Sequence, residues 1–229
     1  MRQSDFPSIR ALPLLRNASP AIVEELLRNA QMRRLSKQSN ILKEGDCPEF
    51  LNVVVDGIVE LYANHNDQET TIDVVKTGAP VGLAAVVNDA VCLYSARTLV
   101  SSQILAIPAT TIRAICERDA DFSQAVLSEL ADRYCGSIRA LKNMKLRTSA
   151  ERLANWILQT VAMHGDGQAF ELICDKRTLA SQLGMTPENL SRNLSLLTKY
   201  GVRNSGRDIF IDNPLALAKF AKPNALLDA

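Results

Sequence analysis

The spacing of apolar residues changes after Pro108 from short β-rich runs to helical repeats, and that change limits the folds open to this chain. From about Met32 to Ile107 the sequence breaks into short β-rich runs, FLNVVV, IVELYA, TTIDVV, ARTLV and QILAIP. Turn signals at Gly45, Asp56-Gly57, Asn64 to Asp67 and Gly78 separate them. Short strands at such regular spacing make an antiparallel sandwich or roll. Asp56-Gly57 stands between two runs and predicts the clearest hairpin, glycine supplying the positive φ. Ahead of the roll, Ser19-Pro20 followed by AIVEELLRNA predicts an N-capped amphipathic helix.

Beyond Pro108 the spacing becomes helical. A short helix, ATTIRAICERD, leads into a longer one over about 121–146, where Phe122, Val126, Leu130, Tyr134, Ile138 and Leu141 recur every three or four positions. A stripe on a helix of about 25 residues, roughly 37 Å long, can pair with its twin as a coiled-coil-like seam, so these six residues predict a homodimer. Arg133, Arg139 and Lys142 flank the stripe. Thr148-Ser149-Ala150-Glu151 is a capping box that starts ERLANWILQTVAMHG and marks a boundary, with His164 to Gly167 closing that helix. The expected division is a β-roll over 1–120, a dimerisation helix over 121–147 and a DNA-binding domain over 148–229.

Net charge over the 229 residues is only +1, but between Arg139 and Arg207 there are 11 Lys and Arg against 5 Asp and Glu. A basic C-terminal third on an otherwise acidic chain is the electrostatic footprint of a nucleic-acid-binding module. No apolar run approaches the ~20 residues of a membrane span, and the N-terminus lacks the pattern of a secretory signal, so the expected location is cytoplasmic. Cysteines at 47, 92, 116, 135 and 174 are odd in number and form no C-x-x-C pair, which suits neither a zinc knot nor a disulfide framework. His65 and His164 form no H-x-H or H-E-x-x-H arrangement, so a multi-histidine metal centre, and an enzyme of the β-roll class built on one, are not expected.

The segment Lys176 to Arg192 has the layout of a helix-turn-helix. Leu179, Ala180 and Leu183 form the inner face of a first helix, and Gly184 makes the tight turn. Thr186 is an N-cap and Pro187 a first helical residue for the second helix, whose Leu190, Leu194 and Leu197 face inward. The opposite face carries Glu188, Ser191 and Arg192. Arginine can bond guanine O6 and N7, a carboxylate can accept from a cytosine amino group, and a hydroxyl can touch a thymine edge. Glu188 also weakens indiscriminate phosphate binding, which speaks against a β-roll ligand-binding protein with merely non-specific DNA affinity. Thr186, Asn189, Arg177 and Lys199 complete the expected contact surface. VRNSGRDIFI predicts a two-stranded wing with Arg203 and Arg207 near phosphates.

In this order of parts the chain resembles the Crp/Fnr family of bacterial regulators over nearly its whole length. The resemblance implies an α+β fold: an N-terminal antiparallel β-roll like that of cyclic-nucleotide-binding domains, a long dimerisation helix and a C-terminal winged helix-turn-helix. The E-x-x-S-R string Glu188-Asn189-Leu190-Ser191-Arg192 is similar to that of the Fnr branch and implies inverted repeats resembling TTG-N8-CAA in double-stranded DNA. LASQLGMTPENLSR is most similar to the nitrogen-oxide-responsive, NnrR-type branch, implying an activator answering to nitric oxide or redox state, with RNA polymerase as a partner. A regulator without an effector, controlled by its own level, is the alternative. The family's Gly-Glu and Arg-Ser pairs for cyclic AMP correspond to Gly82-Leu83 and Tyr94-Ser95, which lack both charges, with Arg97 the nearby cation. Neither cyclic AMP nor an iron-sulfur cluster is expected. Haem is the cofactor left open, with His65 and Tyr62 as candidate ligands and Cys92 or Met144 as others. Cys174, just before the first helix of the motif, is the candidate redox thiol.

Overall fold

The computed structural model describes residues 9, 10, 12–16, 18–163 and 169–228. The chain divides into two compact units, Met1–Arg133 and Tyr134–Ala229, so the division falls inside the long helix and not at its ends. In the first unit, α1 (Pro20–Arg28) starts where Ser19 Oγ accepts from the Ile22 N–H at 3.4 Å, as the Ser-Pro pair predicts. The strand runs form two antiparallel four-stranded sheets. One has the order β1 (Gln31–Leu35), β8 (Ser102–Pro108), β3 (Phe50–Asp56), β6 (Pro80–Val81); the other has β2 (Asn40–Leu42), β7 (Ser95–Thr98), β4 (Ile58–His65), β5 (Gln68–Lys76).

This order corrects the predicted hairpin at Asp56-Gly57. β3 pairs with β6 and β8, whereas β4 pairs with β5 and β7, so the two residues carry the chain from one sheet into the other. Gly57 is required there: its φ is +107°, and a Cβ would stand 2.2 Å from Ser102 Oγ. The tight hairpin is β4 to β5, where Asn66 and Asp67 both take positive φ in a two-residue turn beyond His65. Between the sheets pack Val54, Val59, Leu61, Val75, Val81, Ala96 and Ile104. A second and larger core lies under the helices α1, α2 (Leu83–Asn88) and α3 (Ala109–Arg118).

Helix α4 runs over Ala120–Leu146. Phe122 and Val126 do not belong to a dimer seam: they are 0% and 4% exposed in the core of the first unit, and Leu130 packs against that core. A spacing of three and four serves an intramolecular core and an intermolecular seam equally well, which is why the sequence merged them. The exposed apolar line on α4 is a different one. Leu127, Tyr134 and Leu141 stand seven residues apart, with Ala131 and Ile138 four residues after the first two. Leu127 is 59% and Tyr134 68% exposed.

In the second unit the capping box at Thr148 forms as the sequence predicts. The Thr148 N–H donates to Glu151 Oε2 at 2.9 Å, and the Glu151 N–H donates to Thr148 Oγ1 at 3.3 Å. Helix α5 (Ser149–Met163) follows; the predicted end of this helix at His164 to Gly167 lies outside the described residues. Strand β9 (Ala169–Glu171) pairs with β11 (Asp208–Ile211), which pairs with β10 (Val202–Ser205). Helix α8 (Pro214–Ala221) and a last turn, α9 (Ala225–Asp228), close the unit. Arg147 clasps Asp228 with its two terminal guanidinium nitrogens, at 2.5 and 2.6 Å, and the two side chains are almost buried. No sequence pattern announces this pair, 81 residues apart.

The Arg147 guanidinium holds the Asp228 carboxyl below the usual carboxylate range. A carboxyl whose folded pKa is depressed contributes stability above its unfolded value, near 3.9, and loses it as pH falls through the folded value. Asp228→Asn therefore destabilises the chain at pH 7, and the gap between variant and wild type closes below about pH 4. Denaturant unfolding at both pH values measures this.

Candidate nucleic-acid interface

The helix-turn-helix is built from two capped helices and the turn between them. Asp175 caps α6 (Lys176–Gln182), its carboxylate accepting from the Thr178 N–H at 2.8 Å. Gly184, at φ +62°, turns the chain, and the Met185 N–H donates to the Ala180 carbonyl at 2.9 Å. Thr186 caps α7 (Pro187–Leu197) by accepting from the Asn189 N–H at 3.2 Å. Leu179, Ala180, Leu190, Leu194 and Leu197 are buried, as predicted.

Two side chains of α5 fix this turn, and the sequence did not disclose either. Arg152 donates to the carbonyls of Leu183 at 2.8 Å, Gly184 at 3.1 Å and Arg147 at 2.8 Å. Through the first two it satisfies carbonyls just past the C-terminus of α6, which have no partner within the helix. Burial pulls its pKa below the ordinary arginine value, but the group remains a cation. Ser149 Oγ accepts from Asn193 Nδ2 at 3.0 Å and from Asn189 Nδ2 at 3.4 Å. Asn189 is thus turned toward α5, behind the face on which the sequence reading placed it.

Glu188, Ser191 and Arg192 stand exposed together on the opposite face of α7, and Thr186 is exposed at its start. The Glu188 carboxyl lies below the usual carboxylate range because its own N–H and the Thr186 hydroxyl bond it, with the Arg192 charge one turn on adding to this. The face therefore presents an ionised acceptor and a cationic fork side by side. Arg177 and Lys199 are exposed and carry no ion pair among the described residues. Cys174 is only 4% exposed beneath this module, so its thiol is shielded from oxidants and the redox role expected of it is withdrawn.

The wing forms as predicted, with Gly206 and Arg207 turning between Ser205 and Asp208. Its two arginines, expected near phosphates, carry protein partners. Arg203 makes a bidentate pair with Asp212, at 2.5 and 2.8 Å, and its guanidinium lies 5.1 Å from the Phe210 ring centre. Arg207 donates to the Leu172 carbonyl at 2.5 Å and pairs with Glu171 at 3.2 Å, stitching the hairpin to β9. Both are exposed, so a phosphate would compete with these partners.

In the first unit the positions expected to hold an effector are occupied by protein groups. Tyr94 Oη accepts from the Gly82 N–H at 3.0 Å, and burial pushes the phenol up. Arg97 donates to Glu60 at 2.8 Å and to Glu69 at 2.6 and 2.9 Å, while Thr71 holds the other Glu60 oxygen at 2.7 Å. Two carboxylates on one guanidinium leave a net negative cluster, so Arg97 does not stand in for the missing anion-binding cation. Its guanidinium also lies 4.2 Å over the Tyr62 ring. His65 sits exposed at the β4–β5 turn, and three residues of regular strand put Tyr62 on the opposite face. The two candidates therefore do not converge on one haem. Cys92 is buried, and Met144 rests against Gly184.

Comparisons with known proteins agree with this division. Residues 32–119 match the cyclic nucleotide-binding domain, and residues 151–220 match the Crp-like helix-turn-helix domain. Among solved structures, the chain is similar to FixK2 from Bradyrhizobium japonicum at 20% identity and a TM-score of 0.75, covering 86% of this chain and 99% of that one. A transcriptional regulator of the Crp/Fnr family from Eubacterium rectale matches at 18% identity and a TM-score of 0.72, covering 92% and 98%. DNR from Pseudomonas aeruginosa matches at 22% and 0.52, covering 96% and 99%. No curated protein matches the chain.

Arg152→Met removes three charge-assisted bonds, two of them to turn carbonyls, while touching no exposed surface of α7. It should cost about 1–3 kcal/mol of stability in denaturant unfolding and weaken DNA binding. Unchanged stability would mean that the turn holds without it.

Proposed function

We infer that the chain, which belongs to the Crp/Fnr family of DNA-binding transcription regulators, reads inverted repeats resembling TTG-N8-CAA as a homodimer. The observation that carries this reading is the exposed triplet Glu188, Ser191 and Arg192 on a helix whose other face is locked to α5 and α6. Bidentate arginine on guanine and carboxylate on cytosine are the chemistry of a G·C pair read in the major groove, and Ser191 can touch the neighbouring thymine. Arg177 and Lys199 supply phosphate contacts that set register without reading sequence. The acidic Glu188 makes the surface selective, since a carboxylate near phosphates lowers non-specific affinity.

Two-fold symmetry follows from the line Leu127, Ala131, Tyr134, Ile138, Leu141, whose 3.5-residue repeat fits a parallel two-helix seam. Paired helices would set two reading helices about 34 Å apart, one turn of DNA. An activator role with RNA polymerase as partner, and residence in the cytoplasm, extend the same reading. For the input, the engagement of Arg97 by Glu60 and Glu69 supports a signal other than cyclic AMP. Nitric oxide or redox state is the signal that the similarity of LASQLGMTPENLSR implies, and control by protein level is the second reading.

Arg192→Ala should lose about 1–3 kcal/mol on the TTG/CAA site and blunt discrimination at the guanine, read by competition between cognate and single-base-variant duplexes. An unaltered preference would place base readout elsewhere. Ile138→Glu, in the middle of the exposed line, should give a folded monomer by light scattering at micromolar concentration; a dimer as tight as wild type would remove the seam.

A further inference from the structure

Cys47, in the loop between β2 and β3, and Cys92, between α2 and β7, border one cavity of about 240 Å³. The main chain brings them together. The Cys92 N–H donates to the Asp46 carbonyl at 2.9 Å, and the Gly45 N–H donates to the Cys92 carbonyl at 2.8 Å. Because the Asp46 carbonyl carbon is bonded to the Cys47 nitrogen, little more than one hydrogen bond separates the two residues. That is the reach of a disulfide, whose Cα atoms stand roughly 4.4–6.8 Å apart.

Their exposures are complementary. Cys47 is open to solvent and Cys92 is 3% exposed, the arrangement of an attacking thiol with a resolving thiol behind it. Burial pushes the Cys92 thiol up, and Cys47 beside it adds to that. The cavity wall also carries Arg33, Lys43 and Asn52. Asn52 Oδ1 is buried and lacks a hydrogen-bond partner among the described residues, so an O–H donor entering the cavity would satisfy it. A metal site does not explain the pair, since no cluster of three or more His, Cys, Asp or Glu suited to a metal occurs among the described residues.

We propose that Cys47 and Cys92 are an intramolecular redox pair that hydrogen peroxide oxidises to a disulfide. The Cys47 thiolate attacks one peroxide oxygen, the O–O bond breaks, and the departing hydroxide takes up the thiol proton as water, leaving Cys47 as a sulfenic acid. The Cys92 sulfur then attacks the Cys47 sulfur; the S–S bond forms, the S–O bond breaks, and the hydroxyl leaves with the Cys92 proton as a second water. Two thiols and one peroxide give one disulfide and two waters, reversible by a dithiol reductant. Cys92 also borders a second cavity of about 250 Å³, lined by Gly82, Ala84, Ala85, Leu93 and Tyr94. The bond would therefore tie the β2–β3 loop to the segment that shapes that apolar cavity. Neither cysteine belongs to the DNA-reading surface, so this inference stands or falls separately from that function.

The test uses the full chain, reduced, treated with a small excess of hydrogen peroxide, alkylated and digested for mass spectrometry. The expected result is a peptide pair joined through Cys47 and Cys92, two hydrogens lighter than the free peptides and abolished by dithiothreitol. Cys92→Ala should replace it with a Cys47 sulfenic acid that dimedone traps, and Cys47→Ser should leave Cys92 fully alkylated on unfolding. Should Cys92→Ala fail to fold, the wild-type peptide map decides alone. Cys47 oxidised to sulfinic acid with Cys92 still free, or Cys47 linked to Cys135 of another chain, would overturn the proposal.

Discussion

The orientation of the exposed face of α7, proposed above to read DNA, depends on the grip of α5 on the turn between α6 and α7. Arg152 gathers three carbonyls, two of them at the turn, and Ser149 takes the amides of Asn189 and Asn193 from α7. Leucines alone would hold the helices together, but apolar contact is non-directional and tolerates rotation. Hydrogen bonds to fixed carbonyls and to one hydroxyl set which side of α7 faces out. Base readout tolerates little error in that angle, because a bidentate contact must reach two atoms at once.

The first unit keeps the architecture of a nucleotide-binding roll with altered chemistry at the expected anion site. An uncompensated arginine is a strong, often bidentate partner for a bound phosphate. Here Arg97 is held by Glu60 and Glu69 and stacked on Tyr62, while the Tyr94 hydroxyl takes the Gly82 N–H. These groups satisfy one another, so the strands can hold their positions without a bound anion.

The elements most legible in the sequence were those whose signals are local. The capping box at Thr148, the N-caps at Ser19 and Thr186, and the strand runs of the roll all depend on residues within four positions of one another. The exposed face of α7 was legible for the same reason, since the buried Leu190, Leu194 and Leu197 define its opposite. Pairings across the chain were not. Asp56-Gly57 has the composition of a hairpin turn, yet the twist of the roll uses it as a corner between sheets. The α4 stripe merged Phe122 and Val126, which serve the core, with Tyr134, Ile138 and Leu141, which stay exposed. The partners of Arg203, Arg207 and Arg147 come from 9, 36 and 81 residues away, and charge counting sees only an excess of cations.

Sequence-specific recognition is the central claim, and equilibrium binding tests it most directly. Fluorescence anisotropy would compare a duplex carrying TTG-N8-CAA with one of the same composition and scrambled half-sites, at one fixed salt concentration. The account predicts two chains per duplex and binding at least about 10³-fold tighter to the repeat. Equal affinity for both duplexes, lost in parallel as salt rises, would contradict it and leave only attraction to phosphate.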